Sequence, residues 1–186
     1  MASTIWTPMV GWVGAIAVAV GLALAAPNES GLLGKVPSLS AKRLDQTHVV
    51  IPQQLPSERT VAVVVFRREQ REEAQGWIDG LGLHHGSDIA WVKVPVWSVK
   101  APAEREAIEQ HLLQRYPAQA DQARLLPVFT DREAFVRAAG LGSTDHASVL
   151  VLDRNGNVLA KAQGPYDQKK AQALRETVLA QSALSF

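Results

Sequence analysis

Apolar residues run unbroken from Val61 to Phe66, six positions of which four are valine, and the run stops at Arg67. A continuous run of that length, rich in β-branched residues, predicts a strand covered on both faces of a sheet. Beyond it the period changes. Ala74, Trp77, Ile78 and Leu81 recur at three- and four-residue spacing among charged positions, which predicts a helix ending near Gly82, where glycine suits the exit from a helix. A strand that feeds straight into a helix sets the helix N-terminus, with its unpaired N–H groups, at the carboxyl edge of a sheet. That edge is the usual place for a site in an open α/β domain.

The same reading extends along the chain. Residues 34–40 and 47–51 predict two short strands around the polar turn Leu44-Asp45-Gln46, closed off by Pro52, Pro56 and Ser57. Ile89–Val99 alternates well enough for the next strand, with Pro95 implying an edge, a bulge or an early end. Ala103–Tyr116 carries Ala107, Ile108, Leu112 and Tyr116 at helical spacing and stops before Pro117. Leu125–Phe129 predicts a short strand, and Asp131–Ala139 a helix with Thr130 or Asp131 as its N-cap and Gly140 just beyond it. Ser148–Leu152 and Val158–Ala162 predict a hairpin, because Asn155-Gly156 between them is a strong turn signal. Tyr166–Leu184 predicts the closing helix, its buried stripe made of Ala171, Leu174, Val178 and Leu179.

Three regions follow: a membrane-directed segment 1–26, a linker 27–33 and one folded domain 34–186. Met9–Ala26 is eighteen residues without a charge, and residues 1–34 contain no Lys or Arg. Eighteen apolar residues can span a bilayer as an uncleaved anchor, with Trp6 and Trp12 at an interface. They equally fit a signal peptide cleaved after Ala23-Leu24-Ala25, although the basic start of a signal peptide is missing. Both readings put the domain in the periplasm or otherwise on the extracytoplasmic side of a membrane. Lys35, Lys42 and Arg43 on the far flank run against that orientation.

Composition narrows the chemistry. The chain has 186 residues, 47% of them hydrophobic, enough for one core. Its 19 basic and 18 acidic residues leave a net charge of +1, so no long-range field favours nucleic acid. Cysteine is absent, which removes disulfides, thiolate nucleophiles and Cys-ligated metals.

Arg67, Arg68 and Arg71 stand out among the remaining candidates. Cations at a helix N-terminus oppose the macrodipole, so helix stability does not call for them. Together with free N–H groups they suit a carboxylate, a phosphate or an acidic partner; the competing reading is a solvated face neutralised by Glu69, Glu72 and Glu73. His146 falls in the loop expected opposite these arginines, where Asp145 would hold its ring tautomer. His84, His85 and Asp88 have metal-ligand chemistry, but adjacent histidines in a glycine-flanked loop point apart and a third strong ligand is not near. Trp77 lies on the apolar stripe and reads as core. Trp91 and Trp97 would share one side of a strand, forming an aromatic partner surface or packing beneath the first helix. Asp153–Asn157 has residue types of a calcium loop but sits between strands and reads as a turn. Nucleophile elbows, glycine-rich phosphate loops and His-Glu-x-x-His motifs are missing.

The order of elements resembles the thioredoxin-like fold, an α/β architecture with a central mixed sheet flanked by helices and preceded by an N-terminal β-hairpin. GKVPSLSAKRLDQTHVVIPQQLPSERTVAVVVF looks like the opening of its peroxiredoxin-like and membrane-tethered thiol-reductase branch, and ASVLVLDRNGNVLAKAQG like its closing hairpin. The resemblance spans residues 34–186. Where that family carries its redox motif, this chain has Arg67–Ala74, and where it places a cis-proline, His146-Ala147-Ser148. Thiol exchange and peroxide reduction need a sulfur nucleophile, so the family's enzymatic activity does not carry over. Phe66-Arg67, Gln70, Gly76-Trp77 and LVLDRNGNVLAKAQG are also similar to the cysteine-free mitochondrial ATP synthase assembly factor family (Atp-ten), and small exported bacterial proteins share the fold without its thiols. These resemblances imply a membrane-associated assembly factor or adaptor for a protein partner, without enzymatic activity or cofactor, and the reading of the helix start and its facing loop gives Arg67, Arg68, Arg71 and His146 as the expected binding surface. The alternative from another class is a metal-dependent enzyme or small-ligand-binding protein using His84, His85 and Asp88, or His146.

Overall fold

The computed structural model describes residues 33–180. The apolar segment 9–26, nearly all of the linker and positions 181–184, which the sequence assigns to the closing helix, lie outside the described residues. Among those described, no helix is long and apolar enough to cross a membrane.

Strands β1 (Leu39–Lys42) and β2 (His48–Ile51) form an antiparallel hairpin. The Val-rich run becomes β3 (Arg59–Val65), which continues into a single 3₁₀ turn (Arg68–Gln70) and helix α1 (Arg71–Leu81). The next elements are β4 (Trp91–Trp97), α2 (Pro102–Arg115), the short α3 (Gln119–Gln122), β5 (Val128–Phe129), α4 (Arg132–Ala138), β6 (Ser148–Asp153), β7 (Val158–Gln163) and α5 (Gln168–Leu179). Five strands make a mixed sheet in the order β5-β4-β3-β6-β7, with β3–β4 and β4–β5 parallel and β3–β6 and β6–β7 antiparallel. β3 is therefore central, as a strand apolar on both faces must be.

Alternation along β3 divides the core. Val61 and Val63 meet Trp77 and Leu81 of α1 and Leu174 and Val178 of α5. Ala62 and Val64 meet Phe135 and Val136 of α4, together with Ile51 of the hairpin. The crossovers β3-α1-β4 and β4-α2-β5 step the same way along the sheet, so a common right-handed sense sets α1 and α2 on one face. Gly82 takes φ 66° and closes α1 as expected of a C-cap glycine. Gly140, at φ 65°, lies against the Leu33 carbonyl, where any Cβ would collide with it.

Three departures from the expected elements have physical reasons. The β3–β4 ladder ends at the pair Val65–Pro95, where proline has no N–H to continue it, and β4 then pairs with β5 only as far as Trp97–Phe129, so it closes at Trp97 rather than Val99. β5 shortens to two residues, with Leu125 joined to Lys93 only by an isolated bridge. The polar stretch before it coils into α3, which has no apolar period to announce it.

Asp131 is the N-cap of α4, its side chain accepting from the Ala134 N–H at 3.0 Å. That backbone bond holds its carboxyl below the usual 3.8. A depressed folded-state value means the cap's contribution is complete above about pH 4 and fades as pH falls through the folded-state value. Replacing Asp131 with Asn should keep the cap and remove this acid dependence, read as a flatter melting temperature against pH below 4.

Candidate functional site

The corner between β3 and α1 is organised by Gln70, the one uncharged side chain in the run Arg67–Glu73 and only 4% exposed. Arg67 is extended (φ −141°, ψ 155°), which swings the chain out of β3 and leaves the strand's last N–H groups without sheet partners. Gln70 Oε1 accepts from the N–H groups of Phe66 at 2.7 Å and Arg67 at 3.3 Å. Its Nε2 donates to the Thr144 carbonyl at 2.6 Å, tying the helix start to the loop before β6.

Two further latches span the same gap. Arg67 pairs with Asp145 at 3.2 Å, with both side chains at least half exposed. Glu73 accepts from His146 Nδ1 and from the Ala147 N–H, each at 2.8 Å. The structure thus brings Arg67 and His146 to one corner, as the sequence reading anticipates, but corrects the partner. Glu73 orients His146, while Asp145 is drawn to Arg67. Glu73 sits one helical turn above Gln70, facing the loop, whereas Asp145 points across to the strand end.

Arg68 Nη2 lies 3.0 Å from His111 Nε2 of α2, an arrangement in which the guanidinium donates to a neutral ring. Arg68 and Arg71 have no carboxylate partner among the described residues, because Glu73 is engaged by the loop and neither Glu69 nor Glu72 forms an ion pair. The face is solvated, with Arg67, Arg68, Glu69 and Glu72 exposed, and Glu69 and Glu72 stand beside the arginines without a direct ion pair among the described residues.

Beside this corner runs a groove of about 350 Å³ between α2 and the sheet. Its floor is Pro95 and Trp97 of β4, its back wall Val65 and Phe66, and its outer wall Ile108 and Leu112 of α2. None of the residues of α2 is fully buried, and its apolar stripe of Ala107, Ile108, Leu112 and Tyr116 lines this groove. Arg67, Arg68, Arg71, Lys93 and Arg115 rim it, and no Asp or Glu does. Lys93 Nζ donates to the Tyr116 hydroxyl at 3.3 Å and lies 5.6 Å from that ring's centroid.

The aromatic candidates separate. Trp77 is core, its Nε1 donating to the Gly164 carbonyl at 2.8 Å. Trp91 packs against the α1 side of the core with the Arg124 guanidinium 5.0 Å over its ring. Trp97 lines the groove and stacks on Phe129 at 5.8 Å. His84, His85 and Asp88 are exposed, and His84 Nδ1 donates to the His85 carbonyl at 3.1 Å. Among the described residues no three His, Asp or Glu side chains gather as metal ligands.

Sequence reasoning missed Gln70 as the organiser, Glu73 as the latch and the groove itself. A lone neutral amide inside a charged run was the available signal for Gln70. Nothing local marks the contacts of Glu73, whose partners lie 73 and 74 positions away.

The sequence matches no protein-family model and no curated protein. Solved structures share its architecture. A protein of Aquifex aeolicus to which electron transfer is provisionally assigned superposes with a TM-score of 0.56 at 10% identity, over 79% of this chain and 97% of its own. BsSco, a member of the Sco family of cytochrome c oxidase assembly proteins, gives 0.53 at 12% identity over 80% and 94%. The exposed lipoprotein thioredoxin of Streptococcus pneumoniae gives 0.51 at 12% identity over 75% and 99%. Identities this low speak for fold alone, and on that likeness, together with the sheet order and the paired helix layers, the chain has the thioredoxin-like fold without its cysteines.

Proposed function

We propose that this domain is an exported or membrane-tethered binding module in which a thioredoxin-like scaffold works without thiol chemistry, holding a protein partner as an adaptor or assembly factor. The observation that carries the reading is the state of the β3–α1 corner. Its backbone is sealed by Gln70, while Arg68 and Arg71 stand at the surface with no carboxylate to neutralise them. Unneutralised guanidinium groups on a fixed turn favour a partner surface bearing carboxylates, and two such contacts raise both association rate and specificity. His146, held by Glu73, extends the same surface across the loop. The Sco neighbour's description as an assembly protein and the pneumococcal neighbour's as a lipoprotein agree with this reading by analogy of fold.

The test is crosslinking and capture from native membranes with the full chain. The double variant Arg68→Glu/Arg71→Glu should lose the captured partner by about tenfold or more, equivalent to 1.4 kcal/mol or more of binding. Arg154→Glu, at the exposed β6–β7 turn where Arg154 pairs with Glu58, should leave capture unchanged. Equal recovery with all three chains would contradict the proposal.

A further inference from the structure

The groove between α2 and the sheet points beyond a protein-docking corner. We infer that it is a binding site for a single-chain amphiphilic carboxylate, an aliphatic body seated between Trp97 and Leu112 with its head group held by Arg71 and Arg115. The site shares Arg71 with the protein-docking corner, and Arg115, Trp97 and Leu112 belong to the groove alone.

A volume of about 350 Å³ falls within the ordinary span of small-molecule pockets, roughly 300–1,000 Å³. The walls are aliphatic and aromatic, with Val65 and Phe66 behind, Pro95 and Trp97 below, and Ile108 and Leu112 in front. The helix leaves its apolar stripe half-exposed over such walls, and no other element among the described residues covers it. The rim carries charge of one sign only. Arg67 is already satisfied by Asp145, and Arg68 by a neutral imidazole. Arg71 and Arg115 form no ion pair among the described residues, and Lys93 is committed only to a tyrosine. Guanidinium groups match a carboxylate in bidentate geometry, and an apolar pocket beside them excludes ligands that lack an apolar body. A neutral lipid would leave the rim unused, and a cation would be repelled by it.

The experiment uses the full chain in its native membrane or detergent, a diazirine-bearing dodecanoate and the matching diazirine-bearing dodecanol, with the label located by mass spectrometry. The expected label lies on β4 and α2, at Trp97, Ile108 or Leu112, and is competed by unlabelled dodecanoate. Dodecanol should label these residues about tenfold less, and Arg71→Glu/Arg115→Glu should reduce dodecanoate labelling by a similar factor. Ile108→Asp, a change on a helix with no fully buried residue, should abolish labelling while the circular dichroism stays native. Label confined to residues outside the groove, equal labelling by dodecanol, or labelling indifferent to these variants would overturn the inference. So would a groove that crosslinks to an acidic peptide but not to dodecanoate, which would assign it to the partner.

Discussion

Replacing Gln70 with leucine should lower the unfolding free energy by about 2–4 kcal/mol, a fall in melting temperature of about 4–16 °C. Leucine fills much of the same space but strands three backbone groups. The N–H groups of Phe66 and Arg67 lose their acceptor, and the Thr144 carbonyl loses its donor. Phe66 is 3% exposed, so water cannot easily replace the glutamine at its N–H, and an unpaired buried backbone group costs about 1–3 kcal/mol. The exposed Arg67–Asp145 pair across the same gap is worth no more than about 1 kcal/mol and cannot compensate. Gln70→Glu is the discriminating companion. It keeps an acceptor for Phe66 and Arg67 but opposes a carboxylate to the Thr144 carbonyl, so it should also destabilise, and more at pH 7 than at pH 4. Hydrogen exchange at the Phe66 amide reads the local effect. A Gln70→Leu protein as stable as the parent would show that water or a shifted loop satisfies these groups.

Trp77→Ala should cost about 3–5 kcal/mol, the usual range for deleting a large aromatic side chain from a core. Trp77 is fully enclosed, its ring set edge-on to Tyr166 at 5.3 Å, and it sits where α1, β3 and α5 meet. Trp77→Phe retains much of the apolar body but leaves the Gly164 carbonyl without its 2.8 Å donor and should lose roughly half as much. Chemical denaturation of both variants gives the two values. If alanine cost less than about 1 kcal/mol, the tryptophan would not be enclosed as described.

How far the fold could be read from the chain follows from where its signals are local. The valine run, the Asn-Gly turn and the glycines closing α1 and α4 are statements about backbone and neighbouring positions, and each produced the element expected. The period of α2 identified its apolar face correctly, but periodicity cannot say what covers a face. Here the face that looked like core borders an open groove. The same limit governs the site. Arg67, Arg68 and Arg71 were visible as cations out of place at a helix start. Asp145 was paired with His146 because it is adjacent in sequence, whereas in space a carboxylate on another element is closer. Leu179 fell on the predicted stripe of α5 yet is 39% exposed, because it lies about 100° round the helix from the buried Val178.

Protein binding at the β3–α1 corner of this cysteine-free thioredoxin-like domain, as proposed above, leaves a trace that crosslinking can read. The most direct measurement is a photocrosslinker placed singly at positions 68, 146 and 154 of the full chain in the cells that produce it. The account predicts one discrete adduct shared by positions 68 and 146, weakened by Arg71→Glu, and none at 154. Adducts at 154 alone, or none at either corner position under conditions where 154 reacts, would contradict it.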